Sequence, residues 1–160
     1  NVYTGSHELE LGWAAGAWTY QNVPDFDGAV ISSQTMPGGA LWFPDPNEPD
    51  GELHYDSGDT LIHEVGHWLG LYHTFQFQPG QAGVGPNVGC SIDNDLVEDT
   101  PAEAGVTYYC TPRDSCTGDF FEGEDDIDNF MAYVDDDCMG SFTSGQEQRM
   151  DDHWEAYRAP

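Results

Sequence analysis

The segment His63-Glu64-Val65-Gly66-His67-Trp68-Leu69-Gly70-Leu71-Tyr72-His73 reads HExxHxxGxxH. Residues four apart on a helix differ by about 40° in azimuth, so His63 and His67 project side by side and both can reach one ion at ~2.0–2.1 Å. Glu64 stands beside them, too near in sequence to be needed as a ligand and well placed to take a proton from a water at the ion as general base. Gly70 permits the positive φ that ends a helix abruptly, so the chain can turn back and deliver His73 as a third ligand. Three histidines leave a fourth position open, the mark of catalytic zinc; structural zinc is closed by four protein ligands, usually thiolate-rich. With this composition the five fixed positions recur by chance on the order of 10⁻⁴ times per chain. His7, His54 and His153 belong to no ligand-spaced group and are expected at the surface or in structural roles.

Outward from the motif, Leu61, Val65, Trp68 and Leu69 repeat at helical spacing, predicting a helix from Asp59 to Tyr72 with Ser57 or Asp59 as N-cap and Gly70 as stop. The preceding stretch, Pro44 to Asp56, is dense in prolines and acids and reads as a loop. Further back, Leu9 to Trp18 and Gly28 to Met36 read as strands, which makes the first third β-rich. Beyond the motif, Gln76 to Gly89 is aperiodic, and Cys90 to Cys138 holds all four cysteines among acids and turn residues, an irregular region in need of external ties. Thr143 with Gln146 three residues on is a capping-box pattern, and Met150, Trp154 and Tyr157 mark one face of a closing helix.

The whole chain has 160 residues, a size that suits one domain with one core. Asp and Glu number 30 against three arginines and no lysine, for a net charge of -27. Such a field repels phosphate backbones and anionic membranes, so neither nucleic acid nor membrane is an expected partner. The aromatic content, 8 Phe, 8 Tyr and 5 Trp, is too high for a disordered acidic segment. Abundant acid with no lysine is also how a surface adapted to high salt would look. The chain starts at Asn1 with neither a basic nor an apolar leader, as a processed form or an excised piece would. Four cysteines without a C-x-x-C pair point to two disulfides in an oxidising compartment, hence secretion, with three connectivities open. Acids around Asp93-Asn94-Asp95 lack the glycine and glutamate of an EF-hand, yet carboxylates and carbonyls in a turn suit calcium; a solvated acidic loop is the other reading. The runs Glu122 to Asp128 and Asp151-Asp152 are expected as solvated surface.

With its extended motif the chain resembles the metzincin clan of zinc endopeptidases, and Asn129-Phe130-Met131-Ala132-Tyr133 looks like that clan's Met-turn. Thr74-Phe75 after the third histidine, Asp95-Leu96-Val97-Glu98-Asp99-Thr100-Pro101, and Cys138-Met139, Phe142-Thr143, Gln146 and Arg149-Met150 are similar to the pappalysin (cytophagalysin, M43-type) family. The resemblance runs from about Asn1 to Met150. It implies an α/β zincin fold, with a twisted sheet packed on the active-site helix and an irregular C-terminal subdomain ending in a helix. Residues 1–160 would form a single catalytic domain, 1–73 its upper part and 74–160 its lower part. More sheet and helix normally precede the equivalent of Asn1 in this family, so the chain looks like the C-terminal three-fifths of such a domain.

The resemblance also implies roles. Met131 would form an apolar floor beneath the histidines, and Tyr133 would hydrogen-bond the developing oxyanion, although a buried tyrosine needs some partner in any case. Asp95, Asp99 and Thr100 would hold calcium. Cys90 would pair with Cys116 and Cys110 with Cys138. Asp137 would select arginine after the scissile bond; the competing reading makes Asp135, Asp136 and Asp137 all surface charge. The expected function is thus a secreted zinc endopeptidase acting on peptides or proteins through His63, His67, His73 and Glu64. An extended substrate is expected to lie antiparallel to Gly28 to Met36 as the sheet's edge strand. The alternative is a non-catalytic calcium- and zinc-binding extracellular module, in which Glu64 would have no task. Nothing in the sequence bears on oligomeric state.

Overall fold

The computed structural model describes residues 1–5, 10–45, 51–76, 90, 95–119, 121 and 123–159. Its first part is a three-stranded sheet of β1 (Val2–Gly5), β2 (Gly12–Ala14) and β3 (Ala29–Ser32), in the order β1-β3-β2. β3 runs parallel to β1 and antiparallel to β2, with Val30 opposite both Tyr3 and Trp13. β3 is therefore the central strand, not the edge that the run Gly28 to Met36 suggests; the edge beside the histidine helix is β2. Only the first part of that run is extended, because the hydroxyls that follow redirect the backbone. Ser32 Oγ accepts from Gln34 N–H at 3.3 Å and Thr35 Oγ1 donates to Ser32 O at 2.8 Å, which closes a 3-10 turn over Ser33–Thr35. A second such turn, Ala17–Thr19, ends the other predicted strand.

A two-stranded antiparallel hairpin follows, β4 (Trp42–Pro44) with β5 (Glu52–His54), where the composition predicts only a loop. Leu53 is the buried anchor, and Tyr55, just beyond it, packs on Phe43 with ring centroids 6.0 Å apart.

The helix α1 (Asp59–Trp68) is shorter than the periodicity predicts, because Gly70 takes φ +100°. Its N-cap is neither Ser57 nor Asp59 but Gly58, at φ +105° and without a side-chain cap. Ser57 is otherwise engaged, since its N–H donates to Asp136 Oδ2 at 2.8 Å. α1 lies against β2 and β3. The core between them and the chain below contains Ala17, Ala29, Ile31, Leu71, Met131 and Val134, all almost fully buried.

The closing helix α2 (Ser144–Tyr157) starts with the full capping box of Thr143 and Gln146. Its apolar face is only partly covered: Trp154 stays 44% exposed, with its ring tilted against Trp68 at 6.0 Å. Between α1 and α2, disulfides join Cys90 to Cys116 and Cys110 to Cys138, with Cα–Cα distances of 5.5 and 5.7 Å. Loops otherwise fill this stretch among the described residues.

Candidate metal centre

Two of the three histidines are set by α1 and the third by the turn that ends it. Ligand nitrogens of His63, His67 and His73 lie within 4.8 Å of one another, and no other such group of His, Cys, Asp or Glu occurs among the described residues. His63 Nδ1 is 2.6 Å from Phe130 O and His67 Nδ1 is 2.9 Å from Leu71 O. A carbonyl oxygen only accepts, so in both rings Nδ1 carries the proton and Nε2 turns its lone pair inward. His67 Nε2 stands 3.0 Å from His73 Nε2, an approach of two basic nitrogens that a shared cation relieves. Burial first, and then its two histidine neighbours, hold His63 well below its ordinary value; burial and His67 lower His73 to about 3. Neutral imidazoles are the ligand form. The donor set thus fits a zinc ion with one position left open.

The floor depends on a glycine that the motif leaves unspecified. A Cβ on Gly66 would come 2.5 Å from Met131 Sδ, so the absent side chain is what lets Met131 sit under the helix, fully buried. Asn129 Oδ1 accepts from Met131 N–H at 2.9 Å, and Gln146 of α2 exchanges hydrogen bonds with Asn129 at 2.8 and 3.1 Å. Gly70 has a comparable role at the other end, for any Cβ there would collide with the His153 ring. His153 is a packing residue, wedged between Gly70 and Trp18. His54 is half-buried in β5, whereas His7 lies outside the described residues.

Glu64 is 5% exposed and its Oε2 has no hydrogen-bond partner. Burial, then the charge of Glu10, pushes its carboxyl up to about 8. β2 passes directly over it: a Cβ on Gly12 would meet Glu64 Cγ at 2.8 Å. Neither Gly12 in β2 nor Glu10 just before it is marked by any motif. Tyr133 places its ring 4.7 Å from His73 and 5.7 Å from His63, packed edge-on against Phe75 at 4.9 Å. Its phenol is raised above its ordinary value by burial and then by the charge of Glu64.

The remaining predicted residues fall in two groups. Asp95 is buried and its Oδ2 has no partner, and neither has Thr100 Oγ1. Asp99 is instead exposed and holds the start of α2, accepting from Thr143 Oγ1 at 2.7 Å and Gly145 N–H at 2.9 Å. Asp93 and Asn94 lie outside the described residues. Of the three consecutive aspartates, Asp135 and Asp136 are not surface charge. Asp135 accepts from the N–H groups of His54 at 2.6 Å and Asp137 at 2.8 Å, and Asp136 accepts from Ser57. Asp137 alone is exposed. Within the run Glu122 to Asp128, Asp125 is likewise buried, paired with Arg113.

A small sheet laid across a helix that carries two of three convergent histidines, with a methionine beneath them, defines a metzincin-type zincin. A family model of the M43 peptidases, described as pregnancy-associated plasma protein-A, matches residues 18–155, and the chain belongs to this family. It is 42% identical over 135 residues to an extracellular metalloprotease of Colletotrichum graminicola, and 43% identical over 135 residues to one of Neurospora crassa. These alignments take in 84% of this chain but only 40% and 39% of the relatives, so the chain spans about two-fifths of their length. Among solved structures, mature mirolysin of Tannerella forsythia in complex with a cleaved peptide superposes with a TM-score of 0.65 at 30% identity, over 94% of this chain and 50% of that one. Mirolysin in complex with a compound superposes with a TM-score of 0.71 at 29% identity, over 99% and 53%.

Proposed function

We propose that the protein is a secreted zinc endopeptidase with His63, His67 and His73 as metal ligands and Glu64 as general base. The observation that carries this reading is the convergence of three histidine nitrogens, those of His63 and His67 with their lone pairs turned inward, beside a buried, unpartnered Glu64 Oε2. Bound there, zinc would polarise a peptide carbonyl and lower the pKa of a water toward ~7. Glu64 takes the proton of the attacking water and returns it to the leaving amine. Tyr133 donates its hydroxyl to the oxyanion as charge develops there. The free edge of β2, over Glu64, pairs with an extended peptide, so main-chain hydrogen bonds serve most sequences alike.

Two finer assignments belong to the same reading. Asp95 and Thr100, each with a buried oxygen lacking a partner, hold calcium together with Asp99, and the extracellular relatives fit a setting rich in that ion. Asp137, the outward member of its triplet beside the Cys110–Cys138 disulfide, favours arginine after the scissile bond. Exposed acids without lysine suit work in high salt.

The deciding experiment compares peptide hydrolysis and bound zinc in the full-length protein and its Glu64→Ala variant. Retained zinc with a loss of several orders of magnitude in rate is expected, because base and electrophile act as a unit. Turnover near normal in a zinc-loaded variant would overturn the mechanism.

A further inference from the structure

The three imidazoles are braced from outside in different ways. His63 and His67 lean on main-chain carbonyls, which no side-chain substitution at Phe130 or Leu71 removes. His73 lies beyond the Gly70 turn, outside any helix; its ring stacks on Phe75 at 4.9 Å and hydrogen-bonds the Gln76 side chain, both in the chain just after it, so its direction depends on what anchors that chain. That anchor is Thr74, which is almost fully buried. Its N–H donates to Met131 O at 3.3 Å and its Oγ1 donates to Glu103 Oε2 at 2.5 Å.

Glu103 is 1% exposed and its other oxygen accepts from Arg113 Nη2 at 2.7 Å. Arg113 also binds Asp125 through Nε and Gly105 O through Nη2. Asp125 in turn accepts from Ser115 N–H at 2.9 Å, and Ser115 Oγ accepts from Ala104 N–H at 2.9 Å. Next to Ser115, Cys116 is bonded to Cys90. The stretch 101–119 has no helix or strand, so this polar network and the disulfides at Cys110 and Cys116 are what tie it together. Burying two carboxylates for one guanidinium is a costly way to fill space, which an apolar side chain would do better. The cost makes sense for an acceptor whose position matters. A carboxylate only accepts and a hydroxyl donates once, so Glu103 fixes the rotamer of Thr74 as well as its place.

We propose that Glu103, acting through the Thr74 hydroxyl and held by Arg113, is the positioning residue that aims His73 at the metal centre. The proposal rests on the reading of His73 as a ligand. It makes the disulfide-linked loop the anchor of the short segment whose Phe75 and Gln76 meet the third histidine's ring.

The test measures zinc affinity of the full-length protein by competition with a chromogenic chelator, below the unfolding midpoint of every variant, together with the absorption spectrum of the cobalt form. Thr74→Val keeps the shape and removes the donor; zinc binding should weaken by about ten- to a hundredfold, as for other outer partners of metal ligands. Thr74→Ser restores the hydroxyl and should bind within about threefold of wild type. Tyr3→Ala weakens β1, which pairs with β3 away from the histidines, and should lower the melting temperature with zinc affinity unchanged. Thr74→Val with wild-type affinity and cobalt spectrum would overturn the proposal, as would an equal loss in Tyr3→Ala, which marks general loosening. His73→Ala tests the underlying reading alone: binding like wild type there would remove His73 from the ligand set, and the proposal with it.

Discussion

Met131 and Gly66 meet without room for one more carbon, since a Cβ at position 66 would stand 2.5 Å from the Met131 sulfur. Gly66→Ala should therefore push the helix off its floor. Overpacking of this kind costs about 1–3 kcal/mol. Calorimetry should record a lower melting temperature, and zinc affinity should fall, because His63 and His67 flank the displaced contact. Met131→Leu, of similar volume, should cost under about 1.5 kcal/mol. A Gly66→Ala variant as stable as wild type would mean that the helix and the Met-turn are not in firm contact.

Asp136 sets a pH dependence. Burial first, with the charges of Asp59, Asp135 and Asp56, pushes its carboxyl up to about 6 from 3.8. A carboxyl whose folded value is raised holds its proton more tightly when folded. Its contribution is thus fully present below pH 3.8 and is lost as pH rises through 6. Asp136→Asn should flatten this part of the curve and gain on the order of 2 kcal/mol near neutrality. Melting temperatures measured across that range check it; parallel curves for the two proteins would refute it.

Calcium should stabilise the fold if Asp95 and Thr100 hold it. A ligand that binds only the folded state at a hundred times its Kd contributes about 2.7 kcal/mol. Chelation should lower the melting temperature of the wild-type protein, and Asp95→Ala should abolish the difference between calcium and chelator. Equal melting temperatures with and without calcium would remove the ion from this site.

Asp137 should govern the residue after the cut. A direct ion pair in a pocket persists in molar salt, whereas attraction by the net charge of -27 is screened over a few ångströms. Peptide-library profiling should thus find arginine preferred at both low and high salt, with the preference collapsing in Asp137→Ala. Cleavage before leucine as readily as before arginine would assign Asp137 to the surface.

Those parts of the molecule that depend on neighbours in sequence were open to reading from the chain alone. α2 begins at Thr143 because the capping box needs only Gln146 three residues on, and α1 stops because Gly70 is free to take a positive φ. The convergent histidines are of the same kind. What escaped depends on partners far along the chain. The edge position of β2 follows from β1 occupying the other side of β3, which no local pattern encodes. Burial of Asp135, Asp136 and Asp125 is invisible until His54, Ser57 and Arg113 arrive beside them. The hairpin β4–β5 hides in a polar composition because its pairing rests on alternate residues, Leu53 among them, and not on a continuous apolar run.

All three arginines face inward in their bonding. Arg113 is taken up by Glu103 and Asp125; Arg149 donates to Gly70 O at 2.8 Å; Arg158 pairs with Asp27 and lies 3.7 Å over the Trp68 ring. For a peptidase that cut before arginine, this disposition bears on survival among its own copies. The vulnerable bonds, Pro112–Arg113, Gln148–Arg149 and Tyr157–Arg158, could be presented to a neighbouring molecule only after the guanidinium had left its partners. Self-digestion would then proceed no faster than the opening of those contacts allows, and the same ties that hold the helix end and the polar loop would set the working lifetime of a concentrated enzyme.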